Sequence, residues 1–305
     1  MTGASSSSLK NLAPNSKLDP RDASGWCASL YNQTGSFVYS PEFTSPVLSL
    51  LAAKPGERIV DFGCGSGEVT LEVEKIVKQG DGGLVVGVDL SKSMIAKARE
   101  NGLEHVFVAD IQDPAEMDRL GPEACGRFDA VFTNASLHWC KQNPAGVLES
   151  AKQVLRPGGR IVGEMGGFMN CIGYSLGVRS ALHYALRKRG HDAERVDPWY
   201  FPSMEDYVKL LVSASFEPTH LSLTPRITPL STGLFAWLNL FARPFFLQDL
   251  PDDQAEEVMQ EVVEMCRRDC QDASGKWAMV YMRLRFSAIY KVMGFTCGRD
   301  ILCTT

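Results

Sequence analysis

The chain has 305 residues, of which 45% are apolar and 22% charged, which suits one large domain or one domain with a substantial cap. Its net charge of −5 provides no basic surplus of the kind that predicts binding to nucleic acid or to an anionic membrane surface. We therefore expect neither of these partners, and we expect a monomer or a homodimer.

The cysteines and the apolar runs also restrict the class of protein. The nine cysteines are odd in number and include no C-x-x-C pair, so we predict thiols in a reducing compartment, a cytoplasmic protein and no metal site. No apolar run reaches the roughly 20 residues of a membrane span.

The elements are taken in chain order. Residues 1–20 are rich in Ser, Pro and Asn and lack an apolar signal core, so they are predicted to be a disordered leader. Residues 26–53 have a mixed, helical pattern with Pro41 and Pro46 as breaks. Short apolar runs then predict buried strands, and apolar residues at helical spacing predict helices between them. The predicted strands are 58–62, 84–89, 105–109, 128–133 and 160–164, and the predicted helices are 68–79, 92–101 and 144–155.

Each of these strands is a continuous apolar run rather than an alternating one, which is typical of a parallel sheet covered on both faces. We therefore assign residues 21–166 to an α/β core that binds a cofactor. Residues 167–280 are predicted to form a helical substrate cap with an additional strand near 220–225. Residues 281–305 are predicted to contain the last strand of the core, antiparallel to its neighbour, and a tail.

The loop after the first strand indicates the kind of ligand. A dinucleotide fingerprint requires G-x-G-x-x-G, but here Gly63, Gly65 and Gly67 are spaced so that the third glycine comes one residue early. Asp61 ends the strand before this loop, and a carboxylate repels a pyrophosphate but attracts an ammonium group. The loop therefore predicts an amino-acid-containing ligand such as S-adenosylmethionine.

The following strands also end in polar residues. Asp89 can accept from both hydroxyls of a ribose, Asp110 and the Ile111 backbone can bind an adenine, and Asn134 can hold the amino-acid end of the ligand. The alternative for each aspartate alone is a strand-end or helix-capping role, since Asp is common there. Three such acids in order with the glycine loop favour the cofactor site.

These segments resemble the class I S-adenosylmethionine-dependent methyltransferases. "VDFGCGSG" is similar to their first motif, "GVDLSKSMI" to their ribose-binding segment and "LRPGGRIV" to the turn after their core motifs. The resemblance implies an α/β fold with a Rossmann-like seven-stranded methyltransferase sheet and a helical cap, and S-adenosylmethionine as the cofactor. It also implies cofactor contacts from Gly63, Cys64, Gly65, Leu90 and Met94.

A narrower resemblance extends along the chain. "WCASLYNQ", "FTNASLHWC" and "FARPFFLQDLPDDQ" resemble segments of the trans-aconitate methyltransferase family. This resemblance implies methylation of a carboxyl oxygen on a small molecule, with Trp139 and Gln33 at the substrate. The aromatic residues around Arg243 favour a larger and less polar acceptor than a tricarboxylate.

Roles for individual residues follow from what methyl transfer needs. His138 is the candidate catalytic base, or else a hydrogen-bonded cap residue, and Trp139 can donate its indole N–H to an acceptor oxygen or serve only as core. Arg243 can bind a substrate carboxylate or form a structural salt bridge, and Tyr31 can cover the cofactor or pack under the cap.

The most direct hypothesis is a methyltransferase acting on a carboxylate or hydroxyl of a small organic molecule, in secondary metabolism. Three alternatives remain open on the sequence: transfer to carbon or nitrogen, a cyclase or eliminase that keeps the cofactor as a bystander, and a regulatory protein.

Overall fold

The protein is described by a computed structural model that covers residues 22–121, 126–171 and 177–291, with only the backbone of Ser36 and Phe37. The predicted leader and tail lie largely outside the described residues. Within these ranges the strands are β1 (Arg58–Phe62), β2 (Leu84–Asp89), β3 (Val106–Val108), β4 (Phe128–Asn134), β5 (Leu155–Gly166), β6 (Phe216–Leu230) and β7 (Trp277–Tyr290).

Helices connect these strands and also form most of the cap. They are α1 (Ala28–Thr34), α2 (Pro41–Leu51), α3 (Glu68–Val77), α4 (Lys92–Glu100), α5 (Pro144–Val154), α6 (Val178–Lys188), α7 (Ala193–Val196), α8 (Met204–Ser213), α9 (Gly233–Phe241) and α10 (Asp252–Cys270), with short 3₁₀ turns at Ser36–Tyr39, Pro114–Leu120 and Leu137–Trp139. No helix in the described ranges is long and apolar enough to cross a membrane.

The described strands form one seven-stranded sheet in the order β3-β2-β1-β4-β5-β7-β6. β1 to β5 are parallel, while β7 runs antiparallel to both β5 and β6. The predicted fold class and the antiparallel last strand are therefore confirmed. β1 pairs with β2 on one side and with β4 on the other, so the chain reverses its direction of winding there and opens a crevice at the carboxyl ends of these strands.

Local signals explain where several helices begin. The Ser91 hydroxyl accepts a hydrogen bond from Met94 N at 3.2 Å and caps α4. The Asn143 side chain caps α5, and Pro144 occupies its first turn. Pro46, which was predicted to break the helical segment, lies inside α2. The helix continues because its apolar face packs on the sheet, with Val47 and Leu51 buried.

The core consists of clusters on the two faces of the sheet and a third cluster in the cap. Phe62, Val131 and Phe286 belong to the cluster on one face, and Ile59 and Val162 to the cluster on the other. The cap cluster joins α6, α9 and α10 through buried apolar side chains. The cap thus has a hydrophobic cluster of its own, in addition to the loops that connect it to the sheet.

Both strands at the antiparallel end are longer than the sequence predicted. The strand predicted near 220–225 spans Phe216–Leu230 and is the edge strand of the main sheet. The last strand begins at Trp277, before the range 281–305 in which it was predicted. Pro218, Pro225 and Pro229 look like strand breakers and concealed the length of the edge strand, but an edge strand tolerates residues without an N–H donor.

Candidate functional site

The glycine loop after β1 is shaped by close packing. Gly63 has φ +77°, and a Cβ atom there would overlap the Ser136 hydroxyl from the segment after β4. Gly67 has φ +89° and begins α3, where a Cβ atom would overlap the Leu103 side chain. These positions therefore require glycine for both conformation and space.

Asp89 ties the glycine loop to the second strand. Its carboxylate accepts from Gly65 N at 3.0 Å and from Ser91 N at 2.9 Å, so one side chain positions the loop and the start of α4. Burial raises the pKa of Asp89 to about 6. The same carboxylate faces the crevice, where its remaining lone pairs can accept from a ligand.

An open cavity lies at the carboxyl ends of β1 to β4, with about 950 Å³ of empty space that includes its opening to solvent. We call it the cofactor cavity. All the residues that the sequence nominated for the cofactor line it: Tyr31, Asp61, Gly63, Cys64, Gly65, Asp89, Leu90, Met94, Asp110, Ile111 and Asn134. Side chains from distant parts of the chain are thus brought to one space by the parallel strands.

The chemistry of this lining fits S-adenosylmethionine. Asp61 is 3% exposed and accepts from the Thr70 hydroxyl at 2.7 Å, and burial raises its pKa to about 7. Among the described residues that line the cavity there is no Lys or Arg to compensate this carboxylate. A ligand with an ammonium group would supply the missing positive charge, and Asp89 and Asp110 offer acceptors for hydroxyl and amino groups.

The chain before β1 covers the cofactor cavity. Trp26, Tyr31 and Tyr39 line it from this side, although the sequence had nominated only Tyr31 among them. Asp22 fastens the beginning of this segment to α4, because its carboxylate accepts from the Ser91 hydroxyl at 2.6 Å and from Ser93 N at 2.9 Å. We call residues 22–40 the cover segment.

A second open cavity adjoins the first on the side of the cap, with about 580 Å³ of empty space that includes its opening to solvent. We call it the acceptor cavity. Tyr31, Asn134 and Trp139 line both cavities and so mark the junction between them. Six further aromatic side chains from α2, the cap and β7 line it: Phe43, Trp199, Phe201, Trp237, Phe241 and Tyr281.

His138 lies in the acceptor cavity, but its contacts do not suit a base. Its Nδ1 accepts from Gly166 N at 3.3 Å, so in the neutral ring Nε2 carries the proton. Burial, and next the charge of Arg283, hold the pKa of His138 well below its usual range. The ring is therefore neutral and presents a donor, which corrects the expectation of a catalytic base.

Trp139 stands at the junction with a packed ring. The ring contacts Trp26 edge to face at 4.9 Å between centroids and Phe245 at 4.8 Å. Its indole N–H has no hydrogen-bond partner among the described residues. The side chain thus combines a wall with an available donor, as its sequence motif suggested.

A buried ion cluster forms one wall of the acceptor cavity. Glu164 of β5 is 1% exposed and, within the described part of the chain, contacts the guanidinium groups of three arginines. The distances are 2.8 Å to Arg283 Nε, 2.5 Å to Arg285 Nη2 and 3.4 Å to Arg226 Nη1. Arg226 and Arg283 line the cavity, whereas Arg285 does not.

Two nominated substrate residues are not brought to either cavity. Gln33 is exposed on α1, while its neighbour Asn32 faces inward and accepts from the Ser66 hydroxyl at 3.2 Å. Arg243 donates to Leu247 O at 2.6 Å and pairs with Asp252 at 2.5 Å, so it stabilises the turn before α10. The predicted substrate roles of Gln33 and Arg243 are therefore corrected.

Sequence reasoning missed the arginines of the acceptor cavity. Arg283 and Arg285 alternate with the fully buried Leu284 and Phe286 on β7, and this alternation of charge with apolar residues was visible in the sequence. Their common partner, Glu164, could not be read there because the pairing of β5 with β7 joins residues 119 and 121 positions apart. In the described ranges no group of three or more metal-ligating side chains is arranged around a common point.

Comparisons with known proteins agree with this architecture. Residues 60–163 match the family model described as a methyltransferase domain. The chain is 32% identical over 268 residues to an uncharacterised methyltransferase of Schizosaccharomyces pombe, covering 86% of this chain and 97% of that protein. It is 28% identical over 197 residues to a trans-aconitate 2-methyltransferase of Deinococcus radiodurans, covering 62% of this chain and 70% of that enzyme.

The fold is also found among solved structures. The YcgJ protein of Bacillus subtilis superposes with a TM-score of 0.51 at 14% sequence identity, covering 81% of this chain and 99% of that one. At this identity the likeness concerns the fold and not the substrate.

Proposed function

This chain belongs to the class I S-adenosylmethionine-dependent methyltransferases, and from that premise we propose that it methylates a carboxylate oxygen of a small organic acid. S-adenosylmethionine is the cofactor, and when bound it supplies a methyl group already activated on a sulfonium. The protein then has to hold the acceptor in line and exclude water.

The observation that carries the proposal is the absence of a usable base among the described residues that line the acceptor cavity. A carboxylate has an ordinary pKa near 4 and needs no base at neutral pH, whereas a hydroxyl benefits from one. The Glu164 carboxylate is held by arginines, and the His138 ring is neutral with its Nδ1 occupied. Burial raises the pKa of Cys171 to about 12 and that of Tyr281 well above its usual range, so both keep their protons.

The polar groups that remain are mainly donors. Trp139, His138, Arg226 and Arg283 line the acceptor cavity, and the Trp139 indole N–H and the His138 Nε2–H have no partner among the described residues. Donors and positive charge complement an ionised carboxyl group. Side chains of the cover segment and of the aromatic cap line the junction, where they would limit the access of water to the reacting groups. The name of the Deinococcus radiodurans relative, which is a carboxylic-acid methyltransferase, also supports an organic acid acceptor.

The proposal is tested by incubating the protein with S-adenosylmethionine labelled in the methyl group and a panel of organic acids. We expect label in a product that mild base hydrolyses, which is the behaviour of a methyl ester. Label in a base-stable product would assign the methyl group to hydroxyl, carbon or nitrogen and reject the carboxylate. An unlabelled but altered substrate would indicate a cyclase or eliminase, and no change with any acid would favour a regulatory role.

The variant His138→Gln tests whether the residue at this position acts as a hydrogen-bond donor or as a general base. Glutamine keeps an N–H donor but cannot accept a proton at neutral pH, so we expect kcat/KM to stay within about tenfold of wild type. Loss of a true general base would cost about 10² to 10⁴. With S-adenosylmethionine saturating at every pH, we also expect wild-type kcat/KM for the acceptor to show no inflection near the ordinary histidine pKa, since the ring is already neutral there.

A further inference from the structure

We infer that Arg226 and Arg283 form the subsite for the acceptor's carboxylate, and that the acceptor is a monocarboxylic acid with an apolar or aromatic body. The inference rests on the proposed function and names the substrate class of the same site.

The charge balance of the ion cluster is the first observation. Glu164 contributes one negative charge, whereas the arginines in contact with it within the described ranges contribute three positive charges. Arg285 compensates Glu164 from outside the acceptor cavity. Arg226 and Arg283 therefore bring positive charge to the cavity that no described carboxylate balances.

The hydrogen bonds of these arginines are incomplete. Arg283 is 4% exposed, and its bond to Glu164 uses Nε, so its two Nη groups have no partner among the described residues. Arg226 reaches Glu164 only at 3.4 Å, and its Nε is buried without a partner in the described structure. The Arg226 Nε is fully buried and out of reach of a ligand, whereas the two Arg283 Nη groups are not fully buried and can donate to an incoming carboxylate.

The surroundings of Arg226 are a further observation. Its guanidinium lies over the Phe43 ring at 4.1 Å from the centroid and over the Tyr281 ring at 5.9 Å. Burial, and next the charge of Arg283, lower the pKa of Arg226 to about 10, although the charge of Glu164 opposes this shift. One carboxylate therefore does not fully offset the two cations that line the cavity.

The number of cationic sites in the cavity indicates how many carboxylates the acceptor carries. Both arginines contact the same Glu164 oxygen, so they form a single cationic locus in the described lining. Arg226 and Arg283 line the same cavity as Tyr31, Asn134 and Trp139, which mark its junction with the cofactor cavity. The described lining contains no second cationic locus and several aromatic side chains, which suits an acid with one carboxylate and an apolar remainder rather than a polycarboxylate.

Methylation would also change the affinity for this subsite. The carboxylate loses its charge when the ester forms, so the charge-assisted hydrogen bonds to the guanidinium groups weaken. The same residues that bind the acid therefore favour release of the product.

The subsite is tested by calorimetric titration of the full-length protein saturated with S-adenosylhomocysteine. The probes are 4-phenylbutanoate and its neutral amide, 4-phenylbutanamide, which share one apolar body. We expect wild type to bind the acid at least about tenfold more tightly than the amide, because a hydrogen bond to a charged group is worth about 1.5–3 kcal/mol. Arg283→Met and Arg226→Met should each lose most of this preference and leave amide binding within about twofold.

Arg285→Met is the matched control, since Arg285 contacts the same Glu164 but does not line the cavity. It should keep the preference for the acid. Equal loss in all three variants would mean that the arginines only compensate Glu164, and no acid preference in wild type would also overturn the inference. If circular dichroism shows that Arg283→Met does not fold, the comparison of Arg226→Met with Arg285→Met tests the subsite. Arg226 makes the longest contact with Glu164 of the three arginines, so its substitution disturbs the ion cluster least.

A diacid probe tests whether the acceptor carries a single carboxylate. 1,4-Phenylenediacetate should bind no more tightly than 4-phenylbutanoate, and a tenfold tighter complex would reject a monoacid. If the protein binds the acid but forms no ester, the proposed function is wrong and the carboxylate subsite remains supported. If the ester forms and both Arg226→Met and Arg283→Met leave KM unchanged, the subsite is wrong and the proposed function remains supported.

Discussion

At the scale of single residues, Asp61 is a carboxylate whose environment is incomplete without a ligand. It is buried at the end of β1, accepts one hydrogen bond from Thr70 and faces a cavity whose described lining contains no cation. Its pKa of about 7 lies above that of an ordinary aspartate because burial disfavours the charge. A ligand ammonium would reverse that shift.

The first prediction is a pH dependence of cofactor binding. An ammonium group binds the ionised form of Asp61, so the proton must leave when binding occurs below pH 7. We expect the Kd of S-adenosylhomocysteine, measured by calorimetry, to rise about tenfold between pH 8 and pH 6. Asp61→Asn should bind at least about tenfold more weakly at pH 8 and show little change over this range. A wild-type Kd that is constant with pH would contradict the assignment.

His138 and Arg243 show why residue roles need the fold. The sequence nominated both for a role in the site because they are polar residues in unusual sequence contexts. The role of His138 depends on Gly166 N, which takes the lone pair that a base would use. The role of Arg243 depends on carbonyl groups four and seven residues later, which turn its side chain away from the cavities.

At the scale of elements, Glu164 links three neighbouring strands. It lies on β5, while Arg283 and Arg285 lie on β7 and Arg226 on β6. Although burial opposes ionisation, the charge of Arg283 and the hydrogen bonds of the arginines hold the pKa of Glu164 below its usual range. The antiparallel end of the sheet is thus fastened by one carboxylate.

The second prediction concerns the stability of this end of the sheet. Glu164→Gln leaves Arg283 buried without a counter-charge, so we expect the free energy of unfolding of the ligand-free protein at pH 7 to fall by about 3–5 kcal/mol in urea. Because the folded-state pKa of Glu164 is lowered, its contribution is present above the ordinary glutamate pKa and is lost as the pH falls through the folded value. The difference between the two proteins should therefore shrink in acid.

Glu217→Gln is the control for that measurement. Glu217 lies on β6 and pairs with Lys291 at 2.8 Å, but both side chains are more than half exposed. An exposed pair contributes about 0–1 kcal/mol, so this variant should remain close to wild type. Equal destabilisation by the two substitutions would show that the ion cluster has no special role in stability.

At the scale of the whole molecule, the cover segment forms one side of the cofactor cavity. Its Trp26, Tyr31 and Tyr39 side chains form part of the lining, and Asp22 holds its beginning on α4. A ligand inside the cavity would contact both this segment and the carboxyl ends of the strands. Binding should therefore restrain residues that lie far apart in the chain.

The third prediction follows for hydrogen exchange measured by mass spectrometry. With S-adenosylhomocysteine at 100 times its Kd, binding stabilises the closed form by about 2.7 kcal/mol, which slows exchange through opening about 100-fold. We expect this protection in residues 22–40 together with the loops after β1, β2 and β3. The exposed helix α8 should serve as an internal reference and change little. Protection of the strand-end loops without the cover segment would mean that the segment does not close over the ligand.

The sequence by itself determined the fold class and the cofactor, and it predicted the edge of the sheet at which the candidate cofactor residues gather. Continuous apolar strands alternating with helices can form only a covered parallel sheet, and the carboxyl ends of such strands meet at one edge. The acids and glycines at those ends, from Asp61 to Asn134, could therefore be assigned to one cavity from local order alone. All of them do line it.

Only the tertiary structure decided which residues line the acceptor cavity. Arg226, Arg283 and Glu164 meet because β6 and β7 join the sheet in antiparallel register, and the aromatic walls meet because cap segments fold back from distant positions. Such contacts depend on pairing between residues far apart in the chain, which local periodicity does not encode. Gln33 points outward for a related reason: helical geometry and the packing of α1, rather than the motif, set the direction of its side chain.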